Sequence, residues 1–156
     1  MQSLGGKYLT FPLGREEYGI SIAKVKEIIG MMEITMVPRM PGCIKGVINL
    51  RGKIIPLLDL RLKFSMEERP YTERTCIIVV EIGGRGRTMG VVVDAVSEVV
   101  TIAEGEIEPP PQYGGSLDVS FLLGMGKVKG KVVMLLDIEK VLSVEELETV
   151  REMKGV

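Results

Sequence analysis

A mainly β chain made of two similar small barrels is what three features of the sequence predict: an internal duplication, short apolar runs, and closely spaced turn signals. The duplication shows as two echoes. GVINLRGKIIPLLDL at 46–60 returns as GMGKVKGKVVMLLDI at 124–138, so Gly46, Gly52, Lys53, Leu57, Leu58 and Asp59 recur as Gly124, Gly130, Lys131, Leu135, Leu136 and Asp137, 78 residues on. EYGISIAKVKEII at 17–29 returns as TMGVVVDAVSEVV at 88–100, with Gly19 answering Gly90 and Glu27 answering Glu98 at an offset of 71. Two echoes in the same order imply a repeated unit of about 65–70 residues. The difference in offset falls in the segment 101–123. The apolar runs are strand-length, turn signals recur every eight to twelve residues or so, and the helical stretches are brief, which points to barrels or a sandwich.

Composition bounds the rest. The 156 residues suit one domain, and two halves of that size should pack face to face and share a core. Hydrophobic residues make up 46% and charged residues 26%, ordinary for a soluble globular protein. A net charge of −1 without a basic tract gives no footprint for nucleic acid or an anionic membrane. The N-terminus MQSLGGKYLTF lacks a targeting pattern and no apolar run reaches spanning length, so a cytoplasmic location is expected. Cys43 and Cys76 each adjoin an apolar run and belong to no ligand-spaced pair, and there is no histidine. Two buried reduced thiols are expected, with no metal and no cofactor.

In chain order, Tyr8–Leu13 and Tyr18–Ile22 flank the charged turn at 14–17 and predict a first hairpin. Ser21 is placed to cap a helix over 22–29, with Ile22, Val25 and Ile29 on one face and Lys24 and Glu27 on the wet one. Met31, Met32, Met36 and Met40 then crowd ten residues that end at Pro38 and Pro41. Methionine fills core gaps and also serves adaptable binding surfaces; core filling is the expectation here. Val47–Leu50 and Ile54–Leu58 predict a central hairpin turned at Arg51-Gly52, where glycine takes positive φ freely. Pro56 has no amide proton for a ladder, which predicts an edge strand or a bulge.

Asp59 precedes a short helix over 60–64, and the polar loop 65–74 separates the halves. Thr75–Ile82 and Thr88–Val93 predict the next hairpin, turned by the glycines at 83, 84 and 86. Glu98–Ile102 predicts a strand, and the three prolines at 109–111 make 108–115 a crossover loop. The second copy of the central hairpin and Asp137 follow, again with a short helix. Ser143-Val-Glu-Glu146 is a capping box for a C-terminal helix over about 144–153. The expected organisation is a single domain over 1–156, with pseudo-repeat halves at about 8–64 and 75–142.

Catalysis has little to work with. Asp59 and Asp137 are related by the repeat like the aspartates of an acid protease, but each follows a strand and precedes a helix, where Asp caps orphan amides. Neither is followed by the Ser/Thr-Gly of such proteases, and the glycines at 83–86 sit in a hairpin turn, a poor phosphate cradle. No enzymatic activity is expected. Binding remains, and there the copies differ: Asn49-Leu50-Arg51 in the first answers Lys127-Val128-Lys129 in the second. Arginine binds a carboxylate bidentately and lysine does not, so the first copy carries the stronger recognition element.

EEYGISIAKVKEI, P-x-x-P-G-C-I-K-GVINLRGKIIPLLDLRLKF and MGVVVDAVSEVV together closely resemble the CheW family of chemotaxis coupling proteins, from about Tyr8 to the C-terminal helix. The N-L-R-G turn with its strands is shared with the regulatory domain of the CheA histidine kinase, but no kinase or phosphotransfer segment accompanies it here. The resemblance implies two intertwined SH3-like five-stranded β-barrels around a shared core, with short helices. It also implies an adaptor that couples the cytoplasmic tip of methyl-accepting chemoreceptors to CheA in membrane-associated arrays, without inserting into the membrane. Receptor-facing residues carry over to Val25, Glu27, Gly46, Asn49, Arg51, Val96 and Val99; the resemblance assigns no kinase-facing residues. A scaffold of another two-component pathway is the runner-up. A small β-barrel nucleic-acid binder is disfavoured by the charge and by four tyrosines, three phenylalanines and no tryptophan.

Overall fold

The structure is a computed structural model that describes residues 4–40, 42–83, 87–110 and 121–141. Its first part holds β1 (Gly6–Leu13), β2 (Glu16–Ser21), β3 (Val25–Gly30), β4 (Ile44–Leu50), β5 (Lys53–Asp59) and the one-turn helix α1 (Leu60–Lys63). Next come β6 (Cys76–Ile82), β7 (Arg87–Val93), β8 (Glu98–Ile102), β9 (Ile107–Glu108), β10 (Leu122–Val128) and β11 (Lys131–Leu136). They form two sheets, in the orders β8-β1-β2-β11-β10-β9 and β3-β6-β7-β5-β4. Mainly β architecture with all four predicted hairpins is what the turn signals called for. The middle of the 83–87 turn, most of the 108–115 crossover and the C-terminal helix over 144–153 lie outside the described residues.

Laid on this order, the sequence echoes place the hairpin β1–β2 between β8 and β11, strands of the other copy. The hairpin β6–β7 lies in the same way between β3 and β5. Each closing strand runs parallel to its new neighbour, β11 along β2 and β5 along β7. The halves have therefore exchanged strands, the intertwining that the family resemblance implies.

Burial on both faces explains why several strands read as unbroken apolar runs. Leu9, Phe11 and Ile20 of one sheet and Leu58, Ile78, Val80 and Val91 of the other form one core between the sheets. Ile77, Val79, Ile55 and Leu57 fill the inside of one barrel, and Tyr8, Ile102, Val133 and Leu135 the inside of the other. Successive residues of a strand point to opposite faces, so a strand buried on both has no place for a polar alternate.

Three expectations need correction. Residues 22–29 are not a helix: one 3-10 turn covers Ile22–Lys24, Ser21 makes no side-chain cap, and β3 begins at Val25. The β-branched Val25, Ile28 and Ile29 gain a ladder with β6, from Val25 opposite Val80 to Gly30 opposite Cys76, which outweighs a weak helical spacing. Ile22 is consequently an exposed residue rather than part of a buried face. Pro56 is not on an edge, since β5 lies between β7 and β4. It stands opposite Val47, whose amide and carbonyl both bond to Thr35 (2.8 and 2.9 Å), and the ladder to β7 starts only at Leu57. No hydrogen bond is lost there. The methionines divide: Met31 and Met40 pack on cores, whereas Met36 is 83% exposed.

Candidate functional site

The tip of the β4–β5 hairpin is a two-residue turn in which Arg51 and Gly52 both take positive φ, 51° and 88°. That is the turn whose twist suits a tight hairpin. Asn49 secures it by accepting the Gly52 amide on Oδ1 at 2.9 Å. The guanidinium of Arg51 then forms an ion pair with the carboxylate of Glu27 on β3. β3 and β4 are opposite edges of one sheet, so the pair joins the edges and closes the barrel. The Arg51 side chain stays 68% exposed and that of Glu27 33% exposed. The hydrogen bond and the charge of Glu27 both push the Arg51 group above its usual range, so it is a fixed cation on a rigid mount.

Gly46 lies behind this tip, buried, and sets where the preceding loop runs. Its φ is +148°, and a Cβ there would stand 2.3 Å from the carbonyl oxygen of Thr35. Thr35 pairs with Val47 through the two backbone bonds noted above. Val25 is half-buried against the core shared by the sheets, and Val96 packs on that same core from the other half. Val99 is exposed beside Glu98 on β8, in register with Leu9 of β1. Thus Glu27, Asn49 and Arg51 are brought together directly, Gly46 supports them, and Val96 and Val99 lie in the second half.

The second hairpin repeats the frame. Lys129 and Gly130 take φ of 51° and 79°, and Lys129 Nζ reaches Glu98 Oε1 at 3.3 Å. Exposed apolar residues recur as well, with Ile28 and Ile54 answered by Val99 and Val132. Beside Lys129 lies a shallow groove of about 360 Å³ that also involves Thr10, Glu17, Ser97, Glu98 and Lys131. Its polar groups largely satisfy one another: Ser97 Oγ donates to Glu17 at 2.6 Å, and Thr10 Oγ1 donates to the Glu98 carbonyl at 3.0 Å.

The aspartates are caps. Asp59 is buried, and its Oδ1 accepts the amides of Arg61 at 2.9 Å and Leu62 at 3.4 Å. Asp137 accepts the Glu139 amide at 3.0 Å, at a turn rather than a helix among the described residues. Tyr71 donates to Asp59 Oδ2 at 3.3 Å; burial first, and then the Asp59 charge, push its phenol well above the usual range. Cys43 is buried and Cys76 half-buried, and burial raises the Cys76 thiol. Sequence reasoning missed two ion pairs between the halves, Arg61 with Asp94 and Lys24 with Glu139. The 78-residue offset, which sets Arg61 against Glu139, was the available signal.

Comparison with known proteins agrees with this frame. A model of the CheW-like domain matches residues 7–146. The chemotaxis protein CheW of Klebsiella aerogenes is 43% identical over 149 residues, covering 96% of this chain and 89% of that protein. The chemotaxis protein CheW of Rhizobium meliloti is 33% identical over 144 residues, 92% of each chain. The crystal structure of the scaffolding protein TtCheW from Thermoanaerobacter tengcongensis superposes with a TM-score of 0.81 at 38% identity, over 92% of this chain and 96% of that one. With a match spanning both barrels and both hairpin tips, the chain belongs to the CheW-like domain family.

Proposed function

We propose that this protein is a non-enzymatic chemotaxis adaptor. It couples the cytoplasmic tip of methyl-accepting chemoreceptors to the regulatory domain of the CheA histidine kinase, in the cytoplasm at membrane-bound arrays. One domain with pseudo-repeat halves at about 8–64 and 75–142 presents the receptor-facing patch. The observation that carries this is the Arg51–Glu27 pair, an exposed cation clamped at the tip of a rigid hairpin, within a family whose members include proteins named chemotaxis protein CheW. Glu27, Asn49 and Arg51 make the polar part of the patch, with Val25, Val96 and Val99 as its apolar part. Gly46 acts from behind by fixing the approach of the 34–36 loop. Arginine suits the centre of such an interface because its fork meets planar acceptors bidentately and its stem covers apolar surface.

The test is capture on immobilised receptor-tip fragment and, separately, on the kinase regulatory domain. Both should retain the protein, and together they should form a ternary complex. Retention by neither, with retention by a single-stranded oligonucleotide, would refute the adaptor function.

A further inference from the structure

Because β5 and β11 are copies, backbone pairing alone would let each half close on itself. β5 would then lie beside β2, and β11 beside β7. The structure has the opposite arrangement, β5 beside β7 and β11 beside β2. What differs between the copies is a charge just beyond each closing strand. Arg61 stands two residues after Asp59, and Glu139 stands in the same place after Asp137. Arg61 Nε donates to Asp94 Oδ1 at 2.8 Å and its Nη2 bonds the other carboxylate oxygen; its side chain is only 8% exposed. Asp94 directly follows β7. Glu139 Oε2 accepts from Lys24 Nζ at 3.0 Å, and Oε1 accepts the Gly83 amide at 2.8 Å. Lys24 lies in the turn that follows β2.

Both native pairs join one half to the other, and their polarity is reversed. Were each half to close on its own strands, Arg61 would be carried to Lys24 and Glu139 to Asp94. Both encounters set like charges together, and one of them brings a second carboxylate to Asp94 in the place that the nearly buried Arg61 guanidinium fills, where an unmatched charge is strongly unfavourable. We propose that the opposed charges at 61/94 and 139/24 select the strand-exchanged barrels over two self-closed ones. An attractive pair alone could not do this, since a half-exposed Lys–Glu contact adds little stability; the selection comes from the repulsion built into the alternative.

The double variant Lys24→Glu/Glu139→Lys keeps a matched native pair while turning both wrong encounters into attractive ones. A neutral control, Lys24→Met/Glu139→Met, loses the native pair and the Gly83 bond and removes both repulsions without adding any attraction to the self-closed form. Refolding from urea is followed by stopped-flow circular dichroism and by recovery of monomer on gel filtration. The expected order of the slow or unrecovered fraction is wild type, then neutral, then swap, the swap exceeding the neutral control by about twofold or more. If the pairs act only as contacts, the swap refolds as well as or better than the control, and that result overturns the proposal. If the swap yields no native protein, adding Arg61→Glu/Asp94→Arg restores repulsion in the self-closed form and must restore folding; failure there also overturns it.

Discussion

The two hairpin tips share a backbone and differ in chemistry. Arg51-Gly52 and Lys129-Gly130 make the same turn, each with its cation on a glutamate of an edge strand. Behind them, Gly46 and Gly124 let the backbone carbonyls of Thr35 and Glu108 approach, at 2.3 and 2.7 Å from where a Cβ would be. Asn49, however, braces the first turn, whereas its counterpart Lys127 is drawn away to Glu108 at 2.7 Å. The first tip is thus a clamped fork and the second a looser pair of ammonium groups. Duplication supplies two similar mounts, and single side chains give each tip its own chemistry.

The largest expected difference is at the glycines. Gly46→Ala sets a Cβ against a backbone oxygen at a positive φ, so it should destabilise by about 2–4 kcal/mol in urea melts. Gly124→Ala meets a somewhat longer approach without a positive φ and should lose clearly less. Equal losses would mean that the two mounts are equally strained. Receptor recognition comes next. Arg51→Ala should weaken binding of a receptor-tip fragment about thirtyfold with a melting temperature near wild type. Lys129→Ala should change binding by less than about threefold. Matching losses at the two tips would remove the functional asymmetry.

The caps follow in size. Loss of a cap costs about 0.5–2 kcal/mol, and Asp59→Ala should fall at the upper end because Asp59 is buried, serves two amides and also holds Tyr71. Asp137→Ala should sit lower, since among the described residues one amide is accepted there. Finally, the hydrogen bond from Arg61 holds the Asp94 carboxyl below its ordinary range despite partial burial. A lowered folded value means the pair stabilises fully above about pH 4 and its contribution fades as pH falls through the folded value. Asp94→Asn should therefore be destabilised at pH 7, with the gap to wild type narrowing below about pH 4. A gap that stays constant with pH would assign the effect to packing.

The family motifs, the turn at Arg51-Gly52 and the capping aspartates were legible because each rests on local chemistry or on the repeat. Strand β3 was misread for a reason the repeat itself could have corrected. Its counterpart Glu98–Ile102 carries β-branched residues in sequence, and transferring that strand back along the 71-residue offset would have overruled the helical spacing at Ile22, Val25 and Ile29. Pro56 looked like an edge signal because a strand sequence does not reveal which of its two neighbours needs the missing amide.

By itself the sequence determined the hairpins, the duplication and the chemistry at each tip, since turn conformation, capping and side-chain charge act within a few residues. Which half each closing strand joins was decided only in the tertiary structure. Leu57 and Leu135 would fill a barrel of either parentage, because hydrophobic burial has no direction and the copies are alike. The pairs that distinguish the two outcomes, Arg61 with Asp94 and Lys24 with Glu139, lie 33 and 115 residues apart and become neighbours only once the strands have crossed.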